Sequence, residues 1–79
     1  MTAADELRAA AEKLRQMRFP AAMTATSNTA ALIGARLPLA DWLDNTATSL
    51  NASTHPDWQD CVAADALTVA RAINAGGQP

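Results

Sequence analysis

The residue types most able to do chemistry lie together at residues 55–61, with the sequence HPDWQDC. Histidine, cysteine and carboxylates are the side chains that bind zinc or form a catalytic thiol–imidazole pair. A zinc site takes about four such ligands with paired spacings, whereas the chain contains one His and one Cys. Thiol catalysis would require His55 to reach Cys61, but His55 precedes a predicted helix and Cys61 lies inside it. We predict no catalytic residue, metal site or cofactor, with His55 in a turn and Cys61 buried.

The two tryptophans, Trp42 and Trp58, are each flanked by aspartates in the segments ADWLD and PDWQD. Paired carboxylates can act as general acid and base when a pocket shifts their pKa values apart. The helical period instead turns each tryptophan towards the core and its neighbouring aspartates towards solvent. We therefore expect solvated acidic faces at these positions and a chain that is not an enzyme.

The 79 residues predict one domain, residues 1–79, with a small core. Alanine is abundant, glycine is scarce and tyrosine is absent, a composition that favours helices over sheets. One cysteine cannot form an internal disulfide, and the chain opens without a basic and apolar leader. The longest charge-free stretch, 19–35, contains Pro20 and several polar residues, which argues against a membrane span. We expect a cytoplasmic protein.

Charge is distributed unevenly along the chain. Residues 1–36 carry five cations and three carboxylates, whereas residues 37–79 carry one cation and five carboxylates. We expect the two parts to neutralise each other within the fold. The alternative is a nucleic-acid contact through Arg8, Arg15 and Arg18 on the first helix. Acidic neighbours weaken that alternative, and no recognition helix follows, so nucleic acid is the less favoured partner.

Three stretches have the period of amphipathic helices, at residues 3–18, 38–51 and 56–75. A short polar turn separates the last two, which predicts an antiparallel helical hairpin at the C-terminal end. A further short helix near residues 29–37 would make four, with either a break near Pro38 or a kinked continuous helix. The predicted fold is all-α, a small bundle of three helices, or of four if the short helix forms.

Capping signals accompany the first and last of these helices. Thr2 and Asp5 have capping-box spacing, Thr54 and Asp57 repeat it, and Gly76-Gly77 follows the last helix. The large apolar residues on the inner faces form the predicted core. They are Leu7, Leu14, Leu39, Trp42, Leu43, Leu50, Trp58, Val62, Val69 and Ile73.

The last helix carries a second apolar strip outside this core face. Leu67 points away from the main stripe, with Ala63 and Ala70 beside it. A three-helix core does not easily cover such a strip, so we predict a partner interface there, formed with another copy of the chain or with another protein. In the alternative, residues 30–37 fold over the strip. The sequence thus predicts a non-enzymatic protein–protein interaction module that self-associates.

Asp65 lies beside the core stripe of the same helix. A carboxylate in that position is costly unless a cation or a hydrogen-bond donor meets it. Arg18 and Arg36 are the candidate ion-pair partners. The alternative is that Asp65 leans into water at the edge of the core.

Three motifs occur together in the chain: ADELRAAAEKLR at residues 4–15, PLADWLD at 38–44 and ALTVARAI at 66–73. In this combination the chain resembles short helical proteins of Streptomyces and related actinobacterial genomes and their phages, for which no activity is established. The resemblance implies an actinobacterial or phage source and a small cytoplasmic helical protein, and it supplies no cofactor or catalytic residue. The centre, residues 19–37, departs from that group because it is shorter and lacks an aromatic-rich, strand-like stretch.

Overall fold

The structure, a computed structural model, describes residues 2–17 and 27–76. Within these residues it consists of helices and turns, with no strand, and the predicted all-α fold class is confirmed. The short additional helix is present, and the last predicted helix is divided. The helices are α1 (Ala3–Gln16), α2 (Ser27–Gly34), α3 (Arg36–Ser53), α4 (Gln59–Val62) and α5 (Ala64–Ala75), with a 3-10 turn at Pro56–Trp58.

Helix α1 begins where its capping signal predicts. The Thr2 hydroxyl accepts a hydrogen bond from the Asp5 amide at 3.1 Å, and the Asp5 carboxylate accepts one from the Thr2 amide at 3.2 Å. This capping box satisfies donors that a helix N-terminus otherwise leaves unpaired. The helix ends at Gln16, and Arg18, the last residue of the predicted helix, lies outside the described residues.

The second helical region is interrupted at Ala35 rather than at Pro38. The Ala35 amide donates to the Ala31 carbonyl at 3.0 Å, and the Leu39 amide donates to the Ala35 carbonyl at 3.1 Å. Pro38 consequently lies in the first turn of α3, where a missing N–H removes no helical hydrogen bond. This is why α3 starts at Arg36, ahead of the predicted boundary.

Helix α1 lies at the centre of the packing. It contacts both α3 and α5, which make few contacts with each other. The core consists of alanine and leucine side chains contributed by these helices and by the residue that precedes α5. The buried hydrophobic residues are Ala3, Ala4, Leu7, Ala10, Ala11, Leu14, Ala40, Leu43, Ala47, Leu50, Ala63, Ala66, Leu67 and Ala70. Because most of these side chains are small, the helix axes can approach closely.

The predicted core is confirmed for Leu7, Leu14, Leu43 and Leu50, which are all buried. Leu39, Val69 and Ile73 are partly buried. The prediction is wrong for Trp42, Trp58 and Val62, which are 43%, 67% and 66% exposed. The leucines of α1 and α3 therefore anchor the bundle, while both tryptophans lie at its surface.

An interruption at Ala63 explains why the last helix buries a different face from the predicted one. Ala63 has φ −104° and ψ 26°, outside the usual α-helical range. Successive residues of a helix are rotated by about 100° around the axis, so one irregular residue turns the following pattern relative to the preceding one. Leu67, instead of Val62, faces the core as a result.

Candidate functional site

The segment from His55 to Cys61 forms a 3-10 turn followed by α4. His55 Nδ1 accepts a hydrogen bond from the Asp57 amide at 3.2 Å, and its ring centroid lies 6.2 Å from that of Trp58. His55 therefore caps the turn, as its predicted position in a turn requires. The Asp57 amide thus bonds to His55 and not to Thr54, so the predicted capping box of Thr54 with Asp57 is wrong.

Cys61 lies at the surface of α4, so the prediction that it is buried is wrong. The buried residue of α4 is Gln59, two positions before Cys61. In the described part of the chain, no group of three or more His, Cys, Asp or Glu side chains is placed to hold a metal ion. The residues of this segment end α3 and start α4.

The predicted partner strip belongs to the core, and the prediction of an interface there is wrong. Ala63, Leu67 and Ala70 are 5%, 1% and 0% exposed. Helix α5 packs chiefly against α1, which covers the strip. The covering element is thus α1, and not residues 30–37 as the alternative proposed.

A hollow with both polar and apolar lining residues lies between α3 and the α4–α5 segment. Its volume is about 270 Å³, and it is open to solvent. Trp42 on α3 and Val62 on α4 contribute its largest exposed apolar side chains. The lining includes Trp42, Thr46, Cys61, Val62, Asp65 and Ala66. We call this hollow the α3–α4 groove.

The polar groups of the α3–α4 groove differ in how far they are already paired. The Thr46 hydroxyl donates to the Trp42 carbonyl at 2.8 Å, so it is satisfied within α3. The Asp65 side chain is exposed at the edge of the groove. The groove can therefore receive an apolar side chain against Trp42 and Val62, with a negative charge beside it.

Of the two predicted ion pairs of Asp65, the one with Arg36 is absent. Within residues 2–17 and 27–76, no ion pair joins Asp65 to Arg36, whose Nη1 donates to the Ile33 carbonyl at 3.1 Å. The other candidate, Arg18, lies outside the described residues. The alternative drawn from the sequence, a carboxylate that leans into water, agrees with the exposed position of Asp65.

Arg15 connects α1 to α3 through two aspartates. Its Nη2 donates to Asp41 at 2.9 Å and its Nη1 donates to Asp44. The hydrogen bond to Asp44, followed by the one to Asp41, raises the pKa of the Arg15 guanidinium. Two carboxylates thus oppose the charge of Arg15.

The candidate nucleic-acid face consisted of three cations. Arg8 is exposed, Arg15 is half-buried, and Arg18 lies outside the described residues.

A second set of polar contacts connects α1 to α5. Arg71 Nε and Nη2 donate to the two carboxylate oxygens of Glu6, each at 3.1 Å. This hydrogen-bonded pair lowers the pKa of Glu6. Asn74 Nδ2 donates to the Glu6 carbonyl at 3.2 Å, and Lys13 Nζ donates to the Asn74 carbonyl at 2.8 Å. These contacts hold α5 against the face of α1 that buries Leu67.

Gln59 positions α4, and the sequence pattern did not reveal this. Its side chain is nearly buried, and its Nε2 donates to the Leu50 carbonyl at 3.1 Å and to the Thr54 carbonyl at 3.2 Å. The Leu50 carbonyl also accepts a hydrogen bond from the Thr54 amide at 3.1 Å, so Gln59 is its second donor, and the Thr54 carbonyl belongs to the residue that caps α3. A glutamine beside Trp58 in a helical pattern is indistinguishable from a solvent-facing residue, because its partners lie in the preceding helix.

A second hollow, of about 370 Å³, lies between the end of α1 and the start of α3. Leu14, Met17, Ile33 and Leu39 contribute to its apolar lining. Residues 18–26, which join Met17 to α2, lie outside the described residues. For this reason we do not treat the hollow as a candidate site.

No protein-family model, curated protein or solved structure matches this chain. Among the helices of the described residues, none is both long and apolar enough to cross a membrane.

Proposed function

We propose that this chain is a non-enzymatic helical protein–protein interaction module and that the α3–α4 groove is its binding surface. The supporting observation is the exposure of the apolar side chains of Trp42 and Val62 in one open hollow. A buried tryptophan removes roughly 150–250 Å² from water, and tryptophan is enriched among the residues that dominate interface energies. An apolar surface left exposed at such a point is typical of a contact site.

We also propose that the chain self-associates, through a surface other than the one that the sequence predicted. The strip of Ala63, Leu67 and Ala70 that suggested it is buried within the chain itself. A second copy would therefore have to use other exposed apolar residues. Light scattering coupled to size exclusion over a range of concentrations gives the molar mass, and a constant monomer mass would remove self-association. The proposed setting is the cytoplasm of an actinobacterium or a phage-infected host, as the sequence resemblance implies.

Nucleic-acid binding through the first helix has less support than a protein contact. Arg15, at the middle of the candidate basic face, has its charge opposed by Asp41 and Asp44. Phosphate contacts need exposed, unopposed cations, and their number sets how steeply binding falls with salt. A gel shift that weakened steeply with salt would restore this alternative.

The groove can be tested as an interaction surface by affinity capture from an actinobacterial lysate. The wild-type chain and a Val62→Asp variant are used in parallel, because a buried unpaired charge disfavours apolar association. Thr48→Asp is the matched control, since Thr48 is an exposed residue of α3 outside the groove. We expect a partner that the wild type and Thr48→Asp retain and Val62→Asp loses. Equal retention by all three would contradict the proposal.

A further inference from the structure

The single histidine of the chain, His55, stands at the turn between α3 and α4. Its Nδ1 accepts a hydrogen bond from the Asp57 amide at 3.2 Å and caps the 3-10 turn that follows. Nδ1 accepts this bond through its lone pair, so the neutral ring must carry its proton on Nε2. A second proton on Nδ1 would occupy the lone pair and remove the acceptor. The cap therefore exists in only one charge state of His55.

The surroundings of His55 offer different contacts to the protonated ring. The Asp57 carboxylate lies 3.7 Å from Nδ1, close enough for an ion pair once the ring is charged. The ring centroid of Trp58 lies 6.2 Å from that of His55, near the distance at which an aromatic face attracts a cation. Protonation would thus change Nδ1 from an acceptor for the Asp57 amide into a donor for the Asp57 carboxylate.

Asp57 is the charged residue that acts on His55 most directly. Helix α3, which leads into the turn, carries its last charge at Asp44. On α4 the charged residue is Asp60, and no ion pair joins it to His55 within the described residues. The His55 side chain is exposed, so protons reach it directly from solvent. Histidine is the side chain whose charge ordinarily changes between about pH 5 and pH 8.

We infer that His55 is a pH-dependent switch in the turn between α3 and α4: the neutral imidazole caps the Asp57 amide, and the imidazolium turns to the Asp57 carboxylate and the Trp58 ring. The backbone of the turn is held separately, because the Trp58 amide donates to the His55 carbonyl at 2.9 Å. The change is therefore local, and it places a cation beside the exposed indole of Trp58. A cation in that position disfavours burial of the indole in an apolar contact.

NMR of the imidazole and backbone nitrogens follows both sides of the switch. At about pH 8 we expect Nδ1 to carry no proton, and towards about pH 5 we expect it to gain one while the Asp57 amide signal shifts in the same transition. The temperature dependence of that amide signal, which is small for a hydrogen-bonded amide, should increase as the cap is lost. In a Trp42→Phe background Trp58 is the only tryptophan, and its fluorescence should change over the same pH range. Far-ultraviolet circular dichroism should stay constant.

Three variants separate the cap from general effects of pH. His55→Asn keeps a side-chain acceptor for the amide two residues further on but does not titrate, so the amide shift and the fluorescence change should both disappear. Asp57→Asn keeps the backbone amide and removes the carboxylate. Its transition should persist with a midpoint at lower pH, because a carboxylate favours the charged ring. Trp58→Phe leaves Trp42 as the only tryptophan and should show no fluorescence transition.

Contrary results would overturn the inference at separate points. A neutral ring with its proton on Nδ1 would exclude the cap, since that nitrogen could not accept the amide. An amide signal at residue 57 that stays constant over this pH range, or that changes equally in His55→Asn, would exclude the switch. An amide transition without a change in Trp58 fluorescence would overturn the contact assigned to the protonated ring and Trp58.

Discussion

The buried side chain of Gln59 determines how the chain turns between α3 and α4. Helix α3 ends at Ser53, and the chain turns directly after its C-cap residue, Thr54. The Gln59 amide donates to the Leu50 carbonyl, which also pairs with the Thr54 amide, and to the Thr54 carbonyl, and by doing so places α4 against the end of α3. A side chain without a local sequence signal thus determines which residues of α4 face outward.

We expect Gln59→Ala to destabilise the protein by about 1–3 kcal/mol, because two hydrogen bonds are lost in a nearly buried position, although the Leu50 carbonyl keeps its bond from the Thr54 amide. Asn51→Ala is the matched control, since it removes an amide from an exposed position on α3 and should change stability by less than about 0.5 kcal/mol. The measurement is the free energy of unfolding in urea. Equal effects of the two changes would show that the Gln59 hydrogen bonds contribute little.

Glu6 gives a pH dependence whose direction the structure determines. Its hydrogen bond from Arg71 lowers the pKa of Glu6 below its ordinary value of 4.5. A carboxylate with a lowered pKa in the folded state adds stability above its unfolded pKa, and this contribution disappears as the pH falls through the folded pKa. We expect Glu6→Gln to be less stable than the wild type at pH 7 and for the difference to shrink between about pH 5 and pH 3.

The control for this pH effect is a double-mutant cycle with Arg71→Gln. Once Arg71 is removed, the additional change Glu6→Gln should have little further effect on the unfolding free energy at pH 7. A wild-type advantage that is the same at pH 7 and pH 3 would instead show that packing, and not charge, is responsible.

At the level of elements, α1 and the last helices differ in how well the sequence predicts them. The start of α1 follows from Thr2 and Asp5, which contact each other within one helical turn. The buried face of α5 depends on the interruption at Ala63, and that interruption depends on contacts between helices. A single helical period applied across Ala63 therefore buries Val62 and exposes Leu67, the reverse of the structure. The position of the groove could not be predicted for the same reason.

Two alanine substitutions distinguish the predicted helix from the observed one. We expect Leu67→Ala to cost about 2–5 kcal/mol, as for other buried leucines, because Leu67 is 1% exposed. Val62→Ala should cost less than about 0.5 kcal/mol, since Val62 is 66% exposed. Urea unfolding monitored by circular dichroism gives both values. A costly Val62→Ala with a neutral Leu67→Ala would favour an uninterrupted last helix.

For the whole molecule, length and composition limit the stability. A chain of 79 residues buries a modest share of its unfolded surface, and here much of the buried surface belongs to alanine. The free energy of unfolding is expected at the lower end of the range for folded domains, about 5 kcal/mol. A bound partner would then contribute a large fraction of the total.

This gives a thermal test of partner binding. A ligand at a hundred times its Kd adds about 2.7 kcal/mol, and each kcal/mol raises the Tm of a domain this size by about 4–8 °C. We expect the partner that the groove captures, near that concentration, to raise the Tm by roughly 10–20 °C and to leave the Tm of Val62→Asp unchanged. A similar rise in Val62→Asp would place the binding outside the groove.

The alanines of the core make the fold more sensitive to enlargement than to truncation. Ala10, Ala11, Ala40 and Ala47 are fully buried in the core that α1 forms with α3 and α5, and each has only one methyl group to lose. A larger residue at any of them would have to push α1 away from a neighbouring helix, which close packing resists. In a deep mutational scan, these four positions should accept glycine or serine more readily than valine, leucine or phenylalanine. Natural variation in this chain would then be limited mainly by side-chain size in that core.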